Sequence, residues 1–255
     1  MKIKLIFLLG IFLICTGRVF PQVNTEKYRM LLDTVETLGV FHLDGSFQTG
    51  NTDLQEINSD FQYDLRRENH LLMFVVNGNY GWKDGNRFSD GALSQVRYIR
   101  NLEEKLRVES YLQINYDNTR LLKFRYLIGA GPRIGLLKTK SYQLWFGTSY
   151  MYEYERLGKP KIVINKTVTR VSRWSNYLSF ILAINDKMNL SYVTYYQPRF
   201  DKFKDFRILT EANLTSSISK KFALTVGFHL LYDRYPPITV KNTDTNTTIG
   251  LDFMF

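Results

Sequence analysis

The sequence predicts an all-β protein: an antiparallel transmembrane up-and-down β-barrel of about twelve strands, following a cleaved signal peptide. Three observations predict it. An export leader opens the chain, apolar and polar residues then alternate with a period of two to the last residue, and the connections between segments are mostly short at one end and long at the other. A period of two is that of a strand.

The leader runs from Met1 to Gln22, with Lys2 and Lys4 ahead of an apolar run from Leu5 to Cys15 and a small polar patch at Thr16-Gly17. The run is short of the roughly 20 apolar residues that a membrane helix needs. Cleavage is expected after Gln22. Cys15 is the only cysteine, and Ile14 stands where a lipidation signal takes a small residue. The mature chain therefore has neither disulfides nor thiolate ligands. Loss of Lys2, Lys4 and Arg18 with the leader lowers the formal charge by three, from +10 to +7. A basic exported protein suits anionic lipid head groups rather than nucleic acid.

A short lead-in, residues 23–36, precedes the strands. The clearest alternation sets Phe222, Leu224, Val226, Phe228, Leu230 and Tyr232 against Ala223, Thr225, Gly227, His229 and Asp233. Similar rows are Ile57, Ser59, Phe61, Tyr63 and Leu65 against Glu56, Asn58, Asp60, Gln62 and Asp64. The rows through Leu106–Tyr116 and Met188–Tyr196 follow suit. With the oily rows facing lipid, a charge at Leu224 is expected to be damaging and one at Thr225 better tolerated.

The expected spans are 37–50, 53–66, 70–83, 90–101, 105–117, 122–137, 141–155, 168–184, 187–198, 205–218, 221–234 and 243–255, an even set that lets both chain termini lie on the same side. Tight connections at 66–69, 102–104, 138–140, 185–186 and 219–220 read as periplasmic turns. Longer ones at 83–90, 155–167, 199–204 and 234–242 read as outer loops. Aromatic residues near those loops (Tyr80, Trp82, Tyr150, Tyr152, Tyr154, Tyr195, Tyr196, Tyr232 and Tyr235) suit an interfacial girdle. The final strand carries Ile249, Leu251, Phe253 and Phe255 on one face, and Phe253 and Phe255 form a C-terminal aromatic signal for barrel-assembly machinery during insertion.

Asp205-Phe206-Arg207, Tyr232-Asp233, Pro236-Pro237 and Lys241-Asn242-Thr243-Asp244-Thr245 lead into the terminal strand, and Gly45 and Gly50-Asn51-Thr52 lie near the first hairpin. In these motifs the chain resembles the salt-induced outer-membrane protein family, the domain of unknown function 481 of Gram-negative bacteria. Over Leu38 to Phe255 the resemblance implies an outer-membrane barrel of the cell envelope and supplies no established activity.

Outward oily faces leave a luminal charge network of Asp44, Glu56, Asp60, Asp64, Arg97, Arg107, Glu109, Arg125, Arg133, Glu153, Arg207, Glu211, Asp233 and Asp252. Arginine–carboxylate forks among them would fill the interior, and a charge-lined path for small solutes is the competing reading. His42, His70 and His229 show no metal-ligand spacing, and the neighbouring Ser46 and Asp44 belong to no nucleophile motif. No catalytic residue, cofactor or metal is expected. Basic residues of the outer loops (Lys83, Arg87, Arg120, Lys159, Lys161, Lys166, Arg170, Arg199, Lys202, Lys204, Arg234 and Lys241) suit phosphates of outer-membrane lipid and lipopolysaccharide. The expectation is a non-enzymatic envelope barrel, structural or a narrow solute pore. A barrel-embedded lipid hydrolase and a soluble lipocalin-like barrel are the alternatives.

Overall fold

A computed structural model describes residues 36–48, 54–158, 167–237 and 240–255. The leader with Cys15, the lead-in up to residue 35, Gly50-Asn51-Thr52, Lys159, Lys161 and Lys166 lie outside the described residues, as do the side chains of Ser46 and Arg87.

Alternation becomes twelve antiparallel strands. They are β1 (Thr37–Gln48), β2 (Leu54–Arg67), β3 (His70–Lys83), β4 (Asn86–Asn101), β5 (Leu106–Asp117), β6 (Leu122–Lys138), β7 (Tyr142–Leu157), β8 (Val168–Asn185), β9 (Met188–Pro198), β10 (Phe206–Ser217), β11 (Phe222–Asp233) and β12 (Thr243–Met254). Each pairs with its neighbours in sequence, and β1 closes on β12. Closure satisfies every strand edge, which lipid requires because it offers no hydrogen bonds. A single turn of 3-10 helix, Asn118–Arg120, sits between β5 and β6. A twelve-strand wall replaces the eight of a lipocalin-like barrel.

The oily rows face outward as expected. Phe222, Leu224, Val226 and Phe228 are exposed on β11 while Ala223, Thr225 and Gly227 between them are buried. The closing seam runs from Val40↔Met254 to Asp44↔Gly250. Two further backbone bonds, Gly39 N–H to Phe255 C=O at 2.8 Å and Phe255 N–H to Gly39 C=O at 2.9 Å, finish it at the periplasmic end.

Three expectations are corrected. The connection expected at 83–90 is a two-residue turn, because β4 already begins at Asn86. Asp84 and Gly85 both take positive φ, 50° and 75°, as the type I′ turn of a tight hairpin demands. Tyr195 points into the lumen, not into the girdle, and packs with Tyr177, Val193, Leu209 and Leu231. Arg120 is buried at the mouth against Asp244, not presented to lipid.

The lumen is filled unevenly along its axis. Its periplasmic end holds an apolar cluster of Leu38, Val40, Leu71, Met73, Ile99, Ala223 and Met254. Above it the interior turns polar and charged.

Candidate functional site

The polar interior divides into three groups of side chains, each assembled from strands that the barrel register brings together. The first lies on the seam. His42 of β1 stands opposite Asp252 of β12, with Nδ1 2.6 Å from the Asp252 carboxylate and Nε2 3.2 Å from Asp44. Asn58 Nδ2 donates to the other Asp44 oxygen at 2.7 Å, and the Thr225 hydroxyl donates to Asp252. Gly250 makes this packing possible, since a Cβ there would lie 2.5 Å from the His42 ring. Both imidazole nitrogens face carboxylates rather than a hydroxyl, an arrangement unlike a nucleophile–base pair.

The second group fills mid-barrel. Glu109 accepts from Arg97 Nη1 at 2.8 Å, from Arg133 Nη1 at 3.3 Å and from the Tyr177 hydroxyl at 2.8 Å. The guanidinium of Arg97 lies 5.0 Å from the Tyr111 ring centroid. Those of Arg107 and Arg133 lie 4.1 Å and 4.7 Å from the ring of Trp145. In a site dried by aromatic rings, paired charges of this kind are costly to separate.

The third group rings the outer mouth. Arg207 donates to Asp233 at 2.8 Å, Glu153 at 2.7 Å and Glu155 at 3.2 Å. Arg125 lies 3.9 Å from Glu155, and Arg173 reaches Asp205 at 3.3 Å. Arg199 clamps Asp201 at 2.6 Å and Asp205 at 3.1 Å. In that loop, the hydrogen bond from Arg199 holds the Asp201 carboxyl below the ordinary carboxylate range. A cavity of about 190 Å³ opens among Glu153, Glu155, Arg173, Arg199, Arg207 and Asp233.

The predicted luminal residues are thus distributed among separate clusters rather than one. Asp44 and Asp252 join the seam; Arg97, Arg107, Glu109 and Arg133 the middle; Arg125, Glu153, Arg207 and Asp233 the mouth. Asp60 accepts from Asn77 at 2.9 Å, Glu211 accepts from Asn213 at 2.9 Å beside His229, and Glu56 is half-buried on β2. Arg173 and Asp117 are luminal residues that the sequence reading missed. The signal for Arg173 was present, because the oily row Trp174, Leu178 and Phe180 leaves it on the opposite face. Phe253 and Phe255 stack at 5.8 Å on the lipid side, and Phe222 lies 5.3 Å from Phe253. Among the described residues no group of three or more His, Cys, Asp or Glu is placed to hold a metal ion.

Comparison with known proteins agrees with this architecture. A family model described as "Protein of unknown function, DUF481" matches residues 43–255. No curated protein sequence matches the chain. Among solved structures, the NanC porin superposes with a TM-score of 0.53 at 14% identity, covering 85% of this chain and 98% of its own. An outer-membrane channel from Pseudomonas putida F1 gives 0.52 at 8% identity, over 86% and 95%. The translocator domain of the autotransporter NalP from Neisseria meningitidis gives 0.50 at 8%, over 86% and 88%. At such identities the likeness is one of fold. A closed barrel of this type places the chain in the bacterial outer membrane.

Proposed function

The chain belongs to the DUF481 family of proteins of unknown function, and for it we propose a non-enzymatic, structural role in the envelope, as a barrel whose periplasmic half is plugged by its own side chains. One observation carries this reading. Asp64, Met73, Gln113, Arg133, Trp145, Ala223 and Asp252 project inward from seven strands, β2, β3, β5, β6, β7, β11 and β12, and each has 0% solvent exposure. A water-filled bore would wet inward side chains at that depth. Opening one would also separate Glu109 from Arg97 and Arg133, and breaking a buried pair costs about 3–5 kcal/mol.

Lipid contacts follow from the same geometry. The oily rows meet acyl chains, Lys202, Lys204 and Lys241 offer charge to lipopolysaccharide phosphates, and Phe253 and Phe255 serve the assembly machinery. Planar-bilayer recording of the refolded protein tests the plug. The expected result is a flat baseline at both polarities. Reproducible unit steps that scale with salt concentration would replace the structural reading with that of a narrow solute pore.

A further inference from the structure

At the outer mouth, between β5 and β6, the charge balance is incomplete in one place. Asp117 ends β5 and caps the short helical turn, its Oδ1 accepting the backbone N–H of Arg120 at 3.2 Å. The residue is only 2% exposed, and among the described residues its Oδ2 has no hydrogen-bond partner. A buried carboxylate oxygen left without a donor is expensive.

The neighbouring Arg120 and Arg125 act on it by charge but give Oδ2 no hydrogen bond, because their nitrogens are engaged elsewhere. Arg120 pairs with Asp244, while Arg125 donates to Asn115 at 3.1 Å and lies beside Glu155. Arg207 spends its three nitrogens on Asp233, Glu153 and Glu155. An incoming anion would meet guanidinium groups already engaged, Arg120 and Arg207 by carboxylates and Arg125 by the Asn115 amide. An incoming cation would find Asp117 Oδ2, a buried oxygen that lacks a donor among the described residues.

Asp117 lines a small cavity of about 40 Å³ with Glu153, Glu155 and Asp233, four carboxylates against the three guanidinium groups of Arg120, Arg125 and Arg207, and Leu122, Leu127, Leu157, Leu209 and Leu231 form its apolar wall. One water needs about 10–15 Å³ on this measure, so the cavity has room for an ammonium group and a short aliphatic stem. The cavity shares Glu153, Glu155, Arg207 and Asp233 with the larger one of about 190 Å³. From these contacts we infer that the outer mouth is a binding site for a small organic cation. Its ammonium is received by Asp117, and its short aliphatic body lies against the leucines.

The test is calorimetric titration of the refolded mature protein in detergent with n-butylammonium, and with butyrate and 1-butanol as probes of equal length but different charge. Saturable binding of butylammonium alone is expected. Asp117→Asn should weaken it at least tenfold, and because asparagine caps a helix as well as aspartate does, the variant keeps the turn. Asp84→Asn, which alters an exposed carboxylate of the β3–β4 hairpin outside both cavities and suits the same type I′ turn, should leave affinity unchanged.

Butyrate binding as tightly as butylammonium, no saturable heat, or an Asp117→Asn variant with the parent's affinity would each overturn the site. An equal loss in Asp84→Asn would reduce it to diffuse attraction, and overturns it too. The titration reads binding whether or not the barrel conducts, so its outcome stands apart from the bilayer recording.

Discussion

Phe228 and His229 are adjacent on β11 and face opposite media, which makes them the sharpest test of the barrel. With a rise of about 3.3 Å per residue and a tilt of about 40°, each residue climbs roughly 2.5 Å along the membrane normal. Phe228, six residues above the periplasmic end of β11 at Phe222, then sits about 15 Å up, near the midplane. Phe228→Arg should cost about 2–4 kcal/mol, the depth-dependent cost of a lipid-facing arginine. His229 faces the lumen with Nδ1 3.5 Å from Glu211, so His229→Arg keeps an acidic partner and should cost under about 1 kcal/mol. Urea titrations of refolding into lipid vesicles measure both. Equal losses, or a larger loss for His229→Arg, would refute the assignment of faces. Leu224 and Thr225 make a poorer pair despite their clear alternation. Leu224 lies only about 5 Å above the strand end, where the lipid cost fades. Thr225 is 1% exposed and bonded to Thr215 and Asp252, so an arginine there meets packed side chains and is not the tolerated change that a wet lumen would allow.

Other perturbations reach the seam and the plug. Asp252→Ala removes the partner of His42 Nδ1 and the acceptor of Thr225. A loss of about 3–5 kcal/mol is expected, with hydrogen exchange rising first at the Val40–Asp44 amides; uniform exchange round the barrel would contradict the seam role. Gly147→Val places a Cβ where Tyr177 ring atoms now stand 2.1–2.2 Å away. Overpacking of about 1–3 kcal/mol should displace the ring, and an unchanged near-ultraviolet dichroism spectrum would show that it had not moved. Deletion of Phe255 should lower the folded band in cells and also the urea midpoint in vitro, because the residue contributes two backbone bonds to the seam and its ring covers Gly39. An unchanged midpoint would confine Phe255 to assembly.

Much of this architecture was legible because alternation is a direct consequence of lipid on one side of a wall and side chains on the other. Every luminal acid and base named from the alternating rows lies on the inner face of its strand. The periplasmic plug was not legible in the same way, because alternation weakens there. His70 to Val76 reads as Leu-Leu-Met-Phe-Val-Val after the histidine, with Leu71, Met73 and Val75 buried inside while Phe74 and Val76 meet lipid. A continuous apolar run marks a strand buried on both faces, and it was the available sign that the lumen is not uniformly polar. Asp84-Gly85 is likewise a hairpin signal, hidden by the polar residues after it that made the connection look long. In Tyr195-Tyr196 two identical side chains divide between lumen and lipid, and composition near a strand end cannot separate them.

Alternation assigns a side chain to the inner or outer face but says nothing of how far it reaches across the lumen, and the plug depends on that reach. Glycines supply it. Gly129, Gly135 and Gly147 leave bare wall over which Tyr111, Trp145 and Tyr177 lie flat, so close that a Cβ at these positions would stand 2.5, 3.1 and 2.1 Å from the nearest ring atom. Covering a strand glycine with an aromatic ring is a known means of pinning register. Here the rings also offer their faces to Arg97, Arg107 and Arg133, and Tyr177 adds a hydroxyl to Glu109. The stack of bare glycine, flat ring and guanidinium fills the lumen from the wall inward. Its trace in the sequence is the segment Gly129-Ala130-Gly131-Pro132-Arg133-Ile134-Gly135, in which every inward position is glycine or the arginine that closes the middle of the barrel. A strand built for a water-filled bore has no need of that pattern, since inward polar side chains of ordinary size would already satisfy it.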